Sequence, residues 1–380
     1  MKTLFWSSLI LLFYTYFGYP MFMSILAKCK KAKPINKQMI TPYISIVIAA
    51  YNEEKNIGAK LNDILNLDYP REKIEVFVVS DASSDGTDEI VKGFLGRGIK
   101  LLRLEKRSGK IAAYRKALSC LKGEIIVFSD AASLLNKDSI KNLISNFNDK
   151  TVGCAGGLLN YISLKKANVG RGERKYWNYE KKIRVLESQL SSLTSVSGTL
   201  YAVRKELYPL NIKDYLADDL IVPFTVKKAG FRTVLEPQAF CSDFTTLTIE
   251  EEMAKRIRIT VQNIRGLLNQ LGILNPFKYG LFSFLVISHK LFRLLVPLFL
   301  VLLFTVSLIL SFNAWIFFLI FLAQMLFYVV VLAGYFSKQR IQSGLGNALY
   351  YFCLSNLSIL IGIAKSFKGE KFATWETVRT

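Results

Sequence analysis

Hydrophobic positions in this chain follow two patterns, and the change between them divides it. Uncharged apolar runs occupy 3–27, 294–312, 314–337 and 341–364, whereas the stretch from about 40 to 290 alternates short apolar runs with amphipathic segments. A run of about 20 apolar residues spans the hydrocarbon core of a bilayer. The ends therefore predict membrane helices and the middle a water-exposed domain. Only Lys2 precedes the first run, while Lys28, Lys30, Lys31 and Lys33 follow it. A cleavable leader carries its charge ahead of the apolar core, so this flank predicts a retained anchor with its basic side in the cytoplasm. The next two runs read as strong spans hinged at 311–313. The last contains Asn347, Asn356, serines and glycines and reads as an interfacial or re-entrant segment. That reading keeps Lys365, Lys368, Lys371 and Arg379 of a basic tail, 365–380, on the cytoplasmic side.

In the middle, the runs "ISIVIAA" (44–50), "IEVFVVS" (74–80), "IKLLRL" (99–104) and "EIIVFS" (124–129) predict strands, with helices starting near Lys55, Gly86 and Lys110. Continuous apolar strands alternating with helices imply an α/β fold, a mostly parallel sheet covered on both faces. Ligands of such sheets bind at the carboxyl ends of the strands. Each of these four ends is polar: "YNEE" (51–54), "SDASSDGTDE" (80–89), "EKRSGK" (105–110) and the single carboxylate Asp130 in "FSDAASLL". Asp, Ser and Gly clusters are ordinary turn and cap chemistry, but four at successive strand ends converge on one edge.

The ordered motifs "SIVIAAYNEEKNI", "VVSDASSDGTDEIV", "RSGKIAAYRKAL", "IVFSDAASLL", "SVSGTLYAVRKEL" and "ADDLIVPFTVKKAGFRTVLEP" resemble those of inverting family 2 glycosyltransferases, in the membrane-integrated branch with hyaluronan, chitin and cellulose synthases. The resemblance covers about 40–290. It implies a GT-A nucleotide-sugar-binding domain over 40–245, amphipathic interfacial helices over 246–290 and transmembrane or re-entrant segments over 291–364.

From the resemblance, Tyr51, Glu53 and Asp81 line the base and ribose pocket, where a carboxylate at Asp81 favours the uracil imide and hence a UDP-sugar. Asp85 reads equally as a helix cap. Lys110 opposes phosphate as a point charge at a helix start; Lys106 and Arg107 read as solvent-exposed. "ADDL" stands at the family's Thr-Glu-Asp motif, making Asp219 the general base, with Asp218 raising its pKa by like-charge repulsion. Acids at a helix N-terminus are also favourable for the helix alone. Ser197, Gly198 and Thr199 in "SVSGT" match the acceptor loop. In "KRIRI" (255–259), Arg258 keeps the arginine of the family's Gln-x-x-Arg-Trp motif and can stabilise the departing diphosphate. The glutamine and tryptophan are lost, so a long polymer product does not follow. The family's Asp-x-Asp is reduced to Asp130-Ala131-Ala132, which implies a weakly held Mg²⁺ or Mn²⁺ on Asp130 with phosphate oxygens completing its shell.

Fifty basic against 29 acidic residues give a formal charge of +21. Anionic lipid headgroups, each basic residue near them contributing about 1 kcal/mol, and nucleotide diphosphates account for that excess without nucleic acid. The helical pattern 249–271, with Lys255, Arg256, Arg258 and Arg265, reads as an interfacial helix whose charges meet lipid. Five cysteines lack metal-ligand spacing and read as reduced thiols. His289, the single histidine, reads as structural. The expectation is a multi-pass cytoplasmic-membrane enzyme, catalytic domain inside, moving sugar to a growing glycan or lipid-linked acceptor. Single addition to a polyprenyl phosphate and a degenerate nucleotide-binding protein are the alternatives. A transporter is disfavoured by the scarcity of charge within the spans.

Overall fold

A computed structural model describes residues 1–30, 33–162, 169–244, 248–336 and 344–375. Eight strands form one sheet: β1 (Ile44–Ala50), β2 (Ile74–Ser80), β3 (Ile99–Arg103), β4 (Ile125–Ser129), β5 (Leu134–Leu135), β6 (Val152–Ile162), β7 (Leu200–Arg204) and β8 (Arg232–Phe244). Their order is β3-β2-β1-β4-β7-β6-β8-β5. β3, β2, β1 and β4 are parallel, as their unbroken apolar runs predict, and every residue of β1 and β4 is buried. The helices Ile57–Leu65, Thr87–Lys92 and Lys110–Leu118 connect them. Strand order reverses between β1 and β4, which places a crevice at their carboxyl ends.

The other half of the sheet is mixed. β7 is antiparallel to both β4 and β6, β8 is parallel to β6, and β5 is antiparallel to β8. The expected mostly parallel sheet thus holds for the first four strands. The β6–β8 register shifts between Val152 and Cys154 and again between Gly156 and Leu158. Opposite the second shift, β8 jumps from Leu235 to Phe240 and accommodates Pro237, a residue that strands tolerate at edges and bulges. Apolar side chains cover both faces of the sheet, with Ile46, Ile48 and Val127 on one and Val47, Phe128 and Tyr201 on the other.

Among the described residues, four helices are long and apolar enough to cross a membrane: Lys2–Cys29, Leu281–Ser311, Trp315–Ala333 and Ala348–Phe367. The second begins well before the uncharged run at 294 and so includes His289, Lys290 and Arg293. The last belongs to one continuous helix, Gly344–Phe367, packed against the helix Ile249–Asn269. A capping box between Thr248 and Glu251 starts the latter.

Several charges of Ile249–Asn269 meet partners within the protein. Buried Glu252 takes Arg256 at 2.6 Å and Lys255 at 3.7 Å, and Tyr351 of the last helix donates to it at 2.8 Å. Arg265 donates to the carbonyls of Glu370 (2.9 Å) and Ser366 (3.2 Å). A buried carboxylate and helix-end carbonyls need donors in place of water, and these cations supply them.

Candidate active site

The first two strand ends are tied to each other by hydrogen bonds. Asn52 and Ala82, just beyond β1 and β2, have positive φ (52° and 58°), a strained conformation for alanine that the surrounding bonds hold in place. Ser84 N–H donates to Asn52 Oδ1 (2.9 Å), Glu54 N–H to Asp85 (3.1 Å) and Gly86 N–H to Glu54 (3.0 Å). Asp85 also accepts from the N–H and hydroxyl of Thr87 (3.0 and 2.5 Å). Against the upward push of burial, these bonds keep its carboxyl below the usual range. Asp85 is therefore engaged as a cap.

Asp81 is fully buried, and its two oxygens accept the backbone N–H groups of Ser108 (2.6 Å) and Gly109 (2.9 Å). The carboxylate expected to meet a base thus holds the "RSGK" loop in place. Glu53 is buried and accepts from Asn56 Nδ2 at 2.7 Å. Tyr51 lies under Arg107, whose guanidinium is 4.0 Å from its ring centroid. Arg107 was expected in solvent; it is half-buried because it also donates to the Trp375 carbonyl. Lys106 is exposed as expected.

The contact made by the segment around Trp375 has no counterpart in the expected basic tail. From the end of the last helix the chain returns to the strand ends. Gln262 donates to the Phe372 carbonyl (2.9 Å), and the Trp375 ring meets Tyr51 edge-on at 6.5 Å. The expected basic tail is, up to residue 375, a strap beside the Tyr51 pocket. No local periodicity announces it; its aromatic residues, Phe372 and Trp375, were the available signal.

Asp130 and Lys110 meet across the crevice, Nζ to Oδ1 at 2.7 Å, and Lys110 also donates to the Gly198 carbonyl at 3.0 Å. Against the cost of burial, the Asp130 carboxylate holds Lys110 well above the usual lysine range. Beneath the Asp130 turn lies a second lysine missed from the sequence. Lys60 is fully buried and donates to Ser129 Oγ (2.7 Å) and the Ser133 carbonyl (2.6 Å). Burial pushes its pKa down to about 8, with Asp130 and Asp63 among the charges opposing that shift. It shares a buried helix face with Ile57, Leu61 and Ile64, so a lysine at an apolar-period position was its signal.

Asp218 and Asp219 open the helix Asp218–Lys228, and their side chains part. Asp218 is buried and accepts the Tyr201 hydroxyl at 2.5 Å, whereas Asp219 is partly exposed. Burial and then the Asp218 charge raise Asp219 to about 6, opposed by Lys290, Lys110 and Arg184. The "SVSGT" loop runs alongside. Val196 N–H donates to the Asp219 carbonyl (2.9 Å), and the hydroxyls of Ser197 and Thr199 are 2.7 Å apart. Thr199 accepts Ser129 Oγ–H on its carbonyl at 3.0 Å, joining loop to strand end. A methyl at Gly198 would lie 3.5 Å from Lys110 Nζ and 3.9 Å from Asp219 Oδ2, so this glycine fronts both groups.

Arg258 completes the cluster. Burial lowers its pKa, while Asp130 and Asp219 act in the other direction, which places its guanidinium in the field of both acids. His289 is buried elsewhere, between Glu187 (2.5 Å) and Glu180 (2.9 Å). Among the described residues no three acidic, histidine or cysteine side chains cluster as metal ligands. Asp130 is one carboxylate already paired with an ammonium; with a single acid it fits a cation whose remaining ligands come from outside the protein.

Residues 45–209 match the family described as Glycosyl transferase family 2. The poly-beta-1,6-N-acetyl-D-glucosamine synthase of Staphylococcus epidermidis is 25% identical over 261 residues, 63% of this chain and 62% of that protein. The chain therefore matches somewhat under two thirds of that relative's length. The poly(ribitol-phosphate) beta-N-acetylglucosaminyltransferase TarS of Staphylococcus aureus is 35% identical over 100 residues, 26% of this chain and 18% of that protein. Among solved structures, the mannosyltransferase PcManGT from Pyrobaculum calidifontis, in complex with GDP-Man and Mn²⁺, superposes with a TM-score of 0.72 at 22% identity, covering 96% of this chain and 99% of that one. With the strand-end chemistry, these likenesses show that residues 45–209 form a glycosyl transferase family 2 domain on the GT-A fold, accompanied among the described residues by four helices apolar enough to cross a membrane.

Proposed function

We propose that this protein is an inverting transferase that moves a sugar, by direct displacement, from a UDP-sugar to a growing polysaccharide or lipid-linked glycan at the cytoplasmic face of the membrane. The observation that carries the reading is the approach of Asp219, raised to about 6, and Lys110 to Gly198, with Asp130 bonded to Lys110 and Arg258 in the field of both acids. A base with that pKa is largely ionised at neutral pH yet strong enough to take a hydroxyl proton in the transition state.

In the reaction the acceptor O–H proton passes to Asp219 as the acceptor oxygen bonds to the anomeric carbon from the face opposite the nucleotide. The bond from that carbon to the diphosphate breaks, and Lys110 and Arg258 meet the charge that develops on the leaving oxygen. Tyr51 and Glu53 line the nucleotide pocket, with Asp81 fixing the loop that carries Lys110. Asp130 would hold Mg²⁺ or Mn²⁺ weakly; bound, the ion would neutralise diphosphate charge. The loop Ser197, Gly198 and Thr199 takes the acceptor end, and Asp218 sustains the raised pKa of its neighbour.

N-acetylglucosamine polymers made by the synthase relatives support a UDP-N-acetylhexosamine donor and a glycan product. Ile259, exposed at the tryptophan position of the resembled Gln-x-x-Arg-Trp motif, favours a second reading, one addition to a polyprenyl phosphate. Purified protein in nanodiscs, given labelled UDP-N-acetylglucosamine, UDP-glucose or GDP-mannose, separates the two by product size. A ladder supports the synthase and one addition the alternative. No transfer from any donor, with or without Mg²⁺ and Mn²⁺, would defeat both, and full activity in excess chelator would remove the metal.

A further inference from the structure

Between Asp219 and the membrane-length helices Lys2–Cys29 and Leu281–Ser311, the 195–199 loop is gripped by side chains that the transfer chemistry leaves unused. Glu187, buried on the helix Val169–Leu190, accepts from Thr194 N–H (3.3 Å) and Oγ1 (3.0 Å) and from the Tyr19 hydroxyl of the first apolar helix (3.0 Å). His289 joins Glu187 to Glu180, and Arg293 pairs with Glu180. The adjacent Lys290 reaches the loop: its Nζ donates to Ser195 Oγ at 2.7 Å, while Arg184 donates to the Ser195 carbonyl at 3.1 Å. The next residue, Val196, is the one bonded to the backbone of Asp219.

We propose that Lys290 is a positioning residue for the transfer step: from within the second membrane-length helix it fixes Ser195 and holds a positive charge beside Asp219, seating the acceptor loop and the base against the membrane. The inference rests on the reading of Asp219 as the base. Groups facing Lys290 are Glu180, Glu187 and Arg184 from Val169–Leu190, Asp219 from its own helix, and Tyr19 across Glu187, with His289 and Arg293 on its own helix. Those facing Asp219 are Asp218, Lys290, Lys110, Arg184 and Arg258. Lys290 is the strongest of the cations that oppose the rise of Asp219. Its loss therefore makes the base harder to ionise.

The experiment is the pH profile of kcat/KM for UDP release from UDP-N-acetylglucosamine by the full chain in nanodiscs. Lys290→Met should move the acid limb upward by about one pH unit, Lys290→Arg should leave it near the parent, and Ser195→Ala should move it less in the same direction. UDP affinity should not change in any of the three. A role limited to packing would lower the rate without moving the limb. An unmoved limb in Lys290→Met, with Asp219→Asn inactive, overturns the proposal. Should Lys290→Met no longer bind UDP, an unmoved limb in Ser195→Ala overturns it instead. An active Asp219→Asn would remove the underlying base assignment, a separate and recognisable result.

Discussion

The strand ends on the β1–β4 side and the loop beside Asp219 present their polar groups to one crevice, but they are held differently. On the first side, Asp81, Asp85 and Asn52 are fixed by backbone N–H groups of neighbouring turns, within the first 110 residues. On the second, the loop 195–199 is fixed by Lys290 and Arg184, and the network behind it reaches Tyr19 in the first apolar helix. The Asp81 side is thus braced mainly by neighbouring turns and touched by the strap at Tyr51 and Arg107, whereas the 195–199 side is held in part by residues of the membrane-length helices themselves. The difference fits the substrates proposed: a soluble donor must find a finished site, whereas a membrane-borne acceptor arrives with the surface that orders its own.

The largest test of this contrast is Asp219→Asn, expected to lower kcat by about 10²–10⁴ while UDP affinity by calorimetry stays unchanged. A parallel loss of UDP binding would break the division of labour. Lys110 bridges the sides through Asp130 and Gly198. Lys110→Met should cost about 10²–10³ in kcat and also weaken UDP, a joint effect seen by running both assays on one preparation. Gly198→Ala adds a methyl at ordinary contact distance, 3.5 Å from Lys110 Nζ, so the fold should survive. It should raise the acceptor KM about tenfold and leave donor affinity alone; a change confined to the donor would reverse the assignment of the loop.

The smallest effect concerns Lys60. Its folded pKa of about 8 lies below the ordinary 10.5, so between these values the unfolded chain binds more protons and the parent gains stability as pH rises. Melting curves across that window should show Lys60→Met lacking this gain. Identical pH slopes in parent and variant would mean that folding does not lower the pKa of Lys60.

The contrast also explains what could be read in advance. β1 to β4 were legible because buried parallel strands are continuous apolar runs, and their polar ends followed at once. β6 and β8 were not, because Gly156–Gly157 and Glu236–Pro237 interrupt the pattern where the register shifts. Asp219 and the Gly198 loop were located by resemblance, since "DD" at a helix start has a sufficient local explanation. Lys290 and Arg184 had no signal at all: a cation near an apolar run looks like a flank until the partner loop, distant in sequence, is known. Arg258 is found by the motif, whereas the partners of Arg256 and Arg265 lie on the last helix and the strap after it, beyond the reach of any local pattern.

Gly109 ties the loop before Lys110 to the C-terminal strap in one further way. It has φ +96°, and a Cβ there would come within 2.1 Å of the Ala373 carbonyl oxygen. Two unrelated demands therefore fall on one residue: the turn before Lys110 needs a left-handed backbone, and the returning strap needs an empty surface. A side chain at 109 could be accommodated only by lifting the strap, which would carry Trp375 away from Tyr51. The glycine works as a latch seat, and the apposition of the strap to the loop before Lys110 is written in the absence of a single methyl group.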